Sequence, residues 1–198
     1  MGQVTGKTPG GPLDIEKLLA GDREEFELLV HQESGRLFRV IMRIVNDEEE
    51  AKSVLQETYL QAFKRLDTFR GESKFTTWLY AIGINLGRAW LRKSKRFTTL
   101  TDDEFERLQP QFVNGMYQGA EDRWNPQKLA EAKELRHLVH SAIQKLPDDY
   151  RVVVTLRDIE ELSTTDVAQM LNISEGAVRV RLHRARQALR KLLTQHFG

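Results

Sequence analysis

Apolar residues recur every three or four positions along three stretches of the chain before residue 98, the spacing of one face of an α-helix. Each stretch predicts an amphipathic helix, and Asn46 or Asp47 is expected to cap the second, whose first turn holds three glutamates. A loop is predicted at residues 69 to 73, FRGES, where Gly71 breaks the pattern. The predicted buried stripes are Phe26, Leu29, Val30, Leu37, Ile41, Ile44 and Val45, then Ala51, Val54, Leu55, Tyr59, Ala62, Phe63 and Leu66, and then Phe75, Trp78, Leu79, Ile82, Leu86 and Ala89.

The pattern lapses from residue 98 to residue 130, where prolines and glycines accumulate and acids outnumber bases by six to two between residues 101 and 124. This composition predicts an acidic linker, with one short helix around Glu104 to Leu108. Helical spacing resumes near Leu129 and is interrupted at Pro147, which separates two helices. The β-branched run VVVTL at 152 to 156 lies inside this helical pattern, so we expect helix there in spite of its strand propensity.

The predicted fold class is therefore all-α, with two small helical domains joined by a flexible linker. We expect a flexible tail at 1–12, a first domain at 13–97, the linker at 98–130 and a second domain at 131–198. The chain has 198 residues, a formal net charge of +1 and no cysteine, which excludes disulfides and thiolate metal sites. Its sequence has no signal-like start and no apolar run of membrane-spanning length, so we expect a cytoplasmic protein without membrane insertion.

The last predicted helix is strongly basic in a chain that is otherwise nearly neutral. Residues 173 to 193 hold six Arg or Lys and a single acid, Glu175. A helical projection puts the bases on a broad face opposite a narrow apolar stripe. This face is either the solvated surface of a terminal helix or a surface for a polyanion. The predicted stripe is Val178, Leu182, Ala185, Leu189 and Leu192.

A short helix before the basic one completes a helix-turn-helix pattern at about 164–183. Ala168 is small enough for two helices to cross closely, Asn172 suits a left-handed turn, and Ser174 suits the next N-cap. Such a motif predicts DNA binding, with the start of the second helix in the major groove, although helix pairs without that function can share the pattern. The residues expected at base edges are Glu175, Gly176, Arg179, Val180 and His183, and those expected along phosphates are Arg184, Arg186 and Lys191.

A second basic cluster, residues 88 to 96, holds five bases and Trp90, and it follows Trp78 and Tyr80. Bases interleaved with aromatic rings are typical of single-stranded nucleic-acid binding, although Trp78 also fits the predicted core. Asn85 offers both a donor and an acceptor to a base edge. The first domain therefore has a candidate nucleic-acid surface of its own.

No pattern in the sequence predicts catalysis or a cofactor. His137 and His140 are spaced like metal ligands but lack a further ligand pair, so we expect neither a metal site nor a catalytic residue. Gly-rich phosphate loops, nucleophile elbows and zincin motifs are missing from the sequence.

Two long segments, FRGESKFTTWLYAIGINLGRAWLRKSKR and LPDDYRVVVTLRDIEELSTTDVAQMLNISEGAVRVRLHRAR, closely resemble the two halves of bacterial sigma factors of the extracytoplasmic-function (ECF) group. The resemblance runs from about Leu13 to Leu193, apart from the linker. It implies a transcription initiation factor, with no enzymatic activity, that binds core RNA polymerase, directs it to specific promoters and stabilises promoter melting. The partners it implies are the coiled-coil of the largest polymerase subunit, the polymerase flap, promoter DNA and an anti-sigma factor.

The resemblance also implies roles by position, with the first domain matching sigma region 2 and the second matching region 4. The residues that match the polymerase-docking segment are Ser53, Val54, Leu55, Gln56, Glu57, Tyr59 and Leu60. Those that match the reader of the minus-ten element, where Asn85 is expected to capture a flipped base, are Phe69, Arg70, Ser73, Lys74, Asn85, Arg88, Arg92, Lys93, Lys95 and Arg96. Those that match the reader of the minus-thirty-five element are Arg157, Ser174, Glu175, Gly176, Arg179, Val180, His183 and Arg184.

Two other functions fit parts of the pattern. A helix-turn-helix repressor or activator that needs no polymerase would share the second domain, and an RNA-binding or adaptor protein would use the 88 to 96 cluster. Co-purification with core polymerase is expected of the sigma factor alone.

Overall fold

The fold is described by a computed structural model, which covers residues 11–94, 99–110, 112–113, 116–117 and 133–194. Contacts between Cα atoms divide the chain into two units: Met1–Lys93 with Ala168–Asn172, and Ser94–Val167 with Ile173–Gly198. The all-α fold class is confirmed, since the described strands are only β1, Phe112–Val113, and β2, Met116–Tyr117, an antiparallel pair. The exact domain boundaries stay predictions.

Four helices make up the main part of the first unit: α1, Ile15–Leu19; α2, Arg23–Val45; α3, Glu48–Lys64; and α4, Phe75–Ser94, with a 3₁₀ turn at Leu66–Thr68 before α4. Asp14, Asp22 and Asp47 are the N-caps of the first three, and each accepts a hydrogen bond from a backbone N–H of the first turn. Asn46 has a left-handed conformation, with φ of 53°, and ends α2. Asp47, rather than Asn46, therefore caps α3.

The core of the first unit is formed by α2, α3 and α4, but α4 turns a different face inward from the one predicted. Ile82, Leu86 and Ala89 are only half-buried, whereas Gly83 and Gly87 are buried. The two glycines let the backbone of α4 come close to its neighbours, so the apolar side chains do not set its orientation. The other buried residues of α4 are Phe75, Thr77, Leu79, Tyr80, Ile84 and Leu91.

Phe63 is another departure from the predicted core, because 49% of it is exposed, next to Leu60 at 47%. Leu55 is half-buried, whereas Thr58, one turn beyond Val54, is buried and donates a hydrogen bond to the Val54 carbonyl at 2.6 Å. The buried side of α3 is thus narrower than its apolar stripe. An apolar strip remains on the surface.

Four helices lie in the second unit: α5, Asp102–Arg107; α6, Lys133–Lys145; α7, Asp148–Val154; and α9, Glu175–Thr194. A further helix, α8, Thr164–Leu171, is divided equally between the two units. The backbone continues from α7 as a π-helical turn, Thr155–Ile159. Residues 152 to 156 are buried in this continuous helix, as predicted, and both α6 and α7 pack on α9. Pro147 separates α6 from α7, as expected.

The guanidinium of Arg151 is fully buried where α6 meets α7. It donates hydrogen bonds to Gln144 Oε1 at 3.3 Å and to the Leu146 carbonyl at 3.1 Å, and it pairs with Asp148 at 3.2 Å. Burial lowers the pKa of Arg151, and the nearby Asp148 carboxylate counteracts part of this lowering. This arginine therefore has a structural role in fixing the turn between the helices.

The buried stripe of α9 differs slightly from the predicted one. Val178, Leu182 and Ala185 are buried as expected, but Leu189 and Leu192 are only half-buried. Ala188 and Leu193 complete the stripe instead. Among the described residues, no helix is long and apolar enough to cross a membrane.

Candidate nucleic-acid interfaces

The turn between α8 and α9 has the predicted local structure. Asn172 has a φ of 52°, in the left-handed region, and Ser174 Oγ accepts a hydrogen bond from the Ala177 backbone N–H at 3.1 Å. Val178 and Leu182 are buried one and two turns into α9. The first two turns of α9 are thereby held with the opposite side chains directed to the surface.

That exposed surface carries the residues expected at base edges. Val180 is 59% exposed, an unusual position for an apolar side chain on a charged face, and Gly176, Arg179 and His183 are exposed as well. Glu175 orients the group, because it accepts hydrogen bonds from Arg179 at 2.6 Å and from Thr165 Oγ1 at 2.8 Å. A donor-rich, partly apolar surface of this size can contact guanine edges and thymine methyl groups.

The bases of α9 are neutralised to an extent that the sequence analysis missed. Four of its arginines pair with acids, three of which come from other elements: Arg179 with Glu175, Arg181 with Asp149, Arg184 with Glu106, and Arg186 with Asp158. The Arg186 pair is bidentate, with distances of 2.9 and 2.6 Å, and raises the pKa of Arg186. In the sequence these acids lie apart: Asp149 near Pro147, Glu106 in the predicted linker, and Asp158 after the VVVTL run.

Arg157 has a hydrogen-bond partner within the chain. It was expected to support the contact with the minus-thirty-five element, but its side chain is half-buried and donates a hydrogen bond to the Leu162 carbonyl. This bond closes the turn after the π-helical segment. Arg157 is therefore placed to hold the approach to α8, and a direct DNA contact would require it to leave this partner.

The predicted minus-ten residues lie on α4 and on the loop before it. Asn85 and Arg92 are exposed and Arg88 is half-buried, and their spacing of three and seven residues puts them on one helical face. Lys93 is exposed as well, whereas Lys95 and Arg96 lie outside the described residues. Because Asn85 is exposed, its amide does not serve to satisfy buried backbone groups between helices.

Three aromatic rings join the loop before α4 to the helix. The Phe69 centroid lies 5.1 Å from that of Phe75 and 5.8 Å from that of Trp78, both in edge-to-face contact. Gly71 turns the loop with a φ of 73°, in the left-handed region. Arg70 and Lys74 are exposed on either side of it, and Ser73 is half-buried with its hydroxyl donating to the Lys74 carbonyl. Phe69 thus anchors the loop on α4 while Arg70 and Lys74 remain exposed.

Tyr80, by contrast, is excluded as a stacking platform. Its ring is buried and its hydroxyl donates to Glu33 Oε2 at 3.1 Å. Burial and the Glu33 charge raise its pKa far above the ordinary value. Trp78 and Trp90 are half-buried, so part of each ring is accessible.

The predicted polymerase-docking residues separate into exposed and buried sets. Ser53, Gln56, Glu57 and Leu60 are exposed on α3, and Leu55 is half-buried. Val54 and Tyr59 are buried, and their part in docking stays a prediction. Leu60 and Phe63 line a shallow groove of about 530 Å³ with Phe26 and Tyr59. The structure thus adds Phe63 to this surface.

Within the part of the chain that the structure describes, no group of three or more His, Cys, Asp or Glu residues is arranged to hold a metal ion.

Two family models match separate parts of the chain. The family model for sigma-70 region 2 matches residues 29–97, and that for sigma-70 region 4 matches residues 136–189. The RNA polymerase sigma-H factor of Pseudomonas aeruginosa is 36% identical over 179 residues, 90% of this chain and 91% of that protein. The ECF RNA polymerase sigma-E factor of Escherichia coli K12 is 34% identical over 176 residues, 88% and 90% of the two chains.

Solved structures agree with these relatives. CnrH, in its complex with the cytosolic domain of CnrY, has a TM-score of 0.63 at 25% identity over 92% of this chain and 99% of that chain. The sigma factor RpoE of Bartonella quintana, in complex with the anti-sigma factor NepR, has the same fold, with a TM-score of 0.59 at 20% identity over 86% of this chain and 98% of that chain. The chain therefore belongs to the extracytoplasmic-function group of sigma factors, and it is a transcription initiation factor that directs RNA polymerase to promoters.

Proposed function

We propose that three surfaces of this chain divide the work of promoter recognition. The start of α9 reads the minus-thirty-five duplex, the α4 face with Asn85 captures a base of the melted minus-ten element, and the exposed side of α3 docks on the largest polymerase subunit. The polymerase carries out the chemistry in the cytoplasm, and this chain supplies no catalytic residue. The observation that carries the proposal is the exposure of Asn85, Arg179, Val180 and His183 on two otherwise well-packed helices.

The upstream reading role is supported by the geometry of α9. Its first turns are capped and buried on one side, which fixes the directions of Arg179 and His183. Glu175 is prepared to release Arg179 to a guanine edge, because its ion pair is exposed and therefore weak. Arg184, Arg186 and Lys191 would contact phosphates once their present partners are displaced.

A second contact with polymerase is supported by an apolar groove of about 520 Å³ in the second unit. Its apolar lining includes Val139, Ile143, Ile159, Leu189 and Leu193, and Ile159 is 37% exposed. We assign this groove to the polymerase flap, which the family resemblance implies as a partner. CnrH was solved in complex with the cytosolic domain of a partner protein, CnrY. By analogy, we propose that this chain also binds a protein partner, an anti-sigma factor.

The test separates duplex reading from strand capture. With core polymerase, Arg179→Ala should lose about 1–3 kcal/mol of discrimination at one upstream base pair while leaving melting of the assembled complex nearly unchanged. Asn85→Ala should leave duplex recognition near normal but lower the permanganate reactivity of unpaired thymines. A pre-melted bubble promoter should restore much of the lost open complex. Equal impairment on duplex and bubble templates, with a lowered melting temperature, would contradict base capture by Asn85.

A further inference from the structure

Helix α5 lies within the predicted linker, yet it is built as a defined element. Thr101 Oγ1 accepts a hydrogen bond from the Glu104 backbone N–H at 3.3 Å, and Glu104 Oε2 accepts one from the Thr101 backbone N–H at 2.8 Å. This reciprocal capping box fixes the start of the helix. The hydrogen bonds that the Glu104 carboxylate accepts from the Thr101 backbone N–H and hydroxyl lower the pKa of Glu104.

An aromatic anchor packs α5 against the rest of the second unit. Phe105 is 2% exposed, and its ring centroid lies 4.1 Å from that of Tyr150 on α7. The guanidinium carbon of Arg184 lies 5.4 Å from the Phe105 centroid and 5.5 Å from the Tyr150 centroid. The Leu100 backbone N–H donates to the Lys145 carbonyl at 2.8 Å, which ties the segment before α5 to the end of α6.

Two of the three cations expected along DNA phosphates have partners on the docked helix. Arg184 forms an ion pair with Glu106, and Lys191 Nζ donates to the Arg107 carbonyl at 2.7 Å. Gln109, just after α5, adds a hydrogen bond from its Nε2 to the Arg184 carbonyl at 3.3 Å. A carboxylate and a carbonyl oxygen therefore stand where two phosphate oxygens would bind.

We infer that α5 is an internal competitor of promoter DNA, which must leave the α9 surface before Arg184 and Lys191 can contact the DNA backbone. Residues 102 to 107 hold four acids and one base, so the docked helix also repels phosphates. If the α9 surface is free of α5 for only a fraction of the time, the apparent affinity for DNA is reduced to that fraction of the intrinsic affinity. This inference rests on the proposed phosphate-binding role of Arg184 and Lys191.

The test measures binding of the free full-length chain to a minus-thirty-five duplex by fluorescence anisotropy. Glu106→Gln, which removes the ion pair alone, should tighten binding about two- to fivefold. Phe105→Ala, which removes the anchor, should tighten it more, on the order of tenfold. The matched control is Asp103→Asn, which removes the same charge from an exposed position in the first turn of α5 and should change affinity much less than Glu106→Gln. Hydrogen exchange of residues 101 to 109 should accelerate when the wild-type chain binds the duplex.

The outcomes separate this inference from the proposed function. If Arg184→Ala weakens promoter binding by the holoenzyme but Glu106→Gln and Phe105→Ala leave DNA affinity unchanged, Arg184 contacts DNA and α5 does not compete. Continued protection of α5 in the DNA complex would also overturn the inference. If Arg184→Ala has no effect in the holoenzyme, the phosphate-binding role itself fails. In the Arg184→Ala background, Glu106→Gln should no longer tighten binding.

Discussion

Gly83 lies where α4 comes closest to the neighbouring helices of the first unit. A Cβ there would stand 3.2 Å from Thr58 Oγ1 and 3.3 Å from the Cδ1 atoms of Ile41 and Leu37. Gly83→Ala would gain up to about 1 kcal/mol of helix propensity, but overpacking against three buried side chains costs about 1–3 kcal/mol. We expect the melting temperature of the full chain, followed by circular dichroism at 222 nm, to fall.

Gly35 supplies the matched control on α2. It is exposed, and a Cβ there would meet only Arg39 Nη1, at 3.8 Å. Gly35→Ala should therefore raise the melting temperature, because it adds helix propensity without a clash. If both variants raise it, the close approach at Gly83 is not a tight one.

The same residues show what the sequence can predict at this scale. The helices, the left-handed Asn172 and the Ser174 cap follow from local chemistry, so spacing and residue type were sufficient to predict them, but the sequence left the cap of α3 open between Asn46 and Asp47. The predicted inward face of α4 was wrong because two glycines, which a pattern of apolar residues does not detect, decide where the backbone of α4 can approach the neighbouring helices. That decision depends on side chains of α2 and α3, which are distant in sequence.

At the scale of an element, α3 has a buried side and a side left for a partner. Gln56 and Glu57 are exposed there beside Leu60 and Phe63, and Gln61 Nε2 donates to Glu57 Oε1 at 3.0 Å. Replacing both Gln56 and Glu57 with Ala should weaken pull-down of core polymerase while leaving helix content intact, because neither side chain is in the core.

The control for this pair replaces Glu24 and Gln32, an exposed glutamate and glutamine of α2. It should leave polymerase binding unchanged. Loss of helix content in the Gln56 and Glu57 double variant would show that these positions are structural, and equal loss of binding in both double variants would contradict a specific docking surface on α3.

Helix α5 makes the pH dependence of one element testable. The pKa of Glu104 is lowered from its ordinary 4.5 by hydrogen bonds from Thr101, so its ionised form favours the capped helix. That contribution is complete above pH 4.5 and is lost as the pH falls through the lower folded value. Amide protection of α5, followed by NMR, should therefore decline on acidification.

Glu104→Gln keeps a side chain that can complete the capping box but cannot titrate in this range. Its α5 protection should depend less on pH than that of the wild type. An identical pH profile for the two chains would exclude Glu104 as the group responsible.

The sequence predicted a short helix around Glu104 to Leu108, close to α5, but it did not predict that this helix packs on the second unit. Thr101 and Glu104 form the capping-box spacing, and Phe105 is the apolar residue that such a short helix needs as an anchor. The acidic excess favoured a linker instead, and the partners of α5 on α7 and α9 are tens of residues away. Phe63 was misplaced for a related reason, since periodicity cannot distinguish a core stripe from a docking strip.

At the scale of the whole molecule, the positive charge that we propose to face DNA lies in two helical regions of a near-neutral chain. Each region offers few contacts, and four arginines of α9 already have acidic partners. We expect the free chain to bind a promoter duplex weakly and the holoenzyme to bind it tightly, because polymerase presents both regions at once. Titrations with and without core polymerase at the same near-physiological salt measure this. Nanomolar binding by the free chain would contradict it.

The paired arginines of α9 have a consequence for selectivity among polyanions. A bacterial cell contains an excess of RNA and nonpromoter DNA. A basic helix without paired charges is bound by these competing nucleic acids. The carboxylates of Asp149, Asp158 and Glu106 behave as counterions that cannot diffuse away, so a passing phosphate gains little by replacing them. Fewer mobile ions are then released on binding, and indiscriminate association is less favoured. A promoter held by the polymerase can replace the carboxylates with its phosphates. We therefore expect the ion pairs to favour promoter DNA over other polyanions.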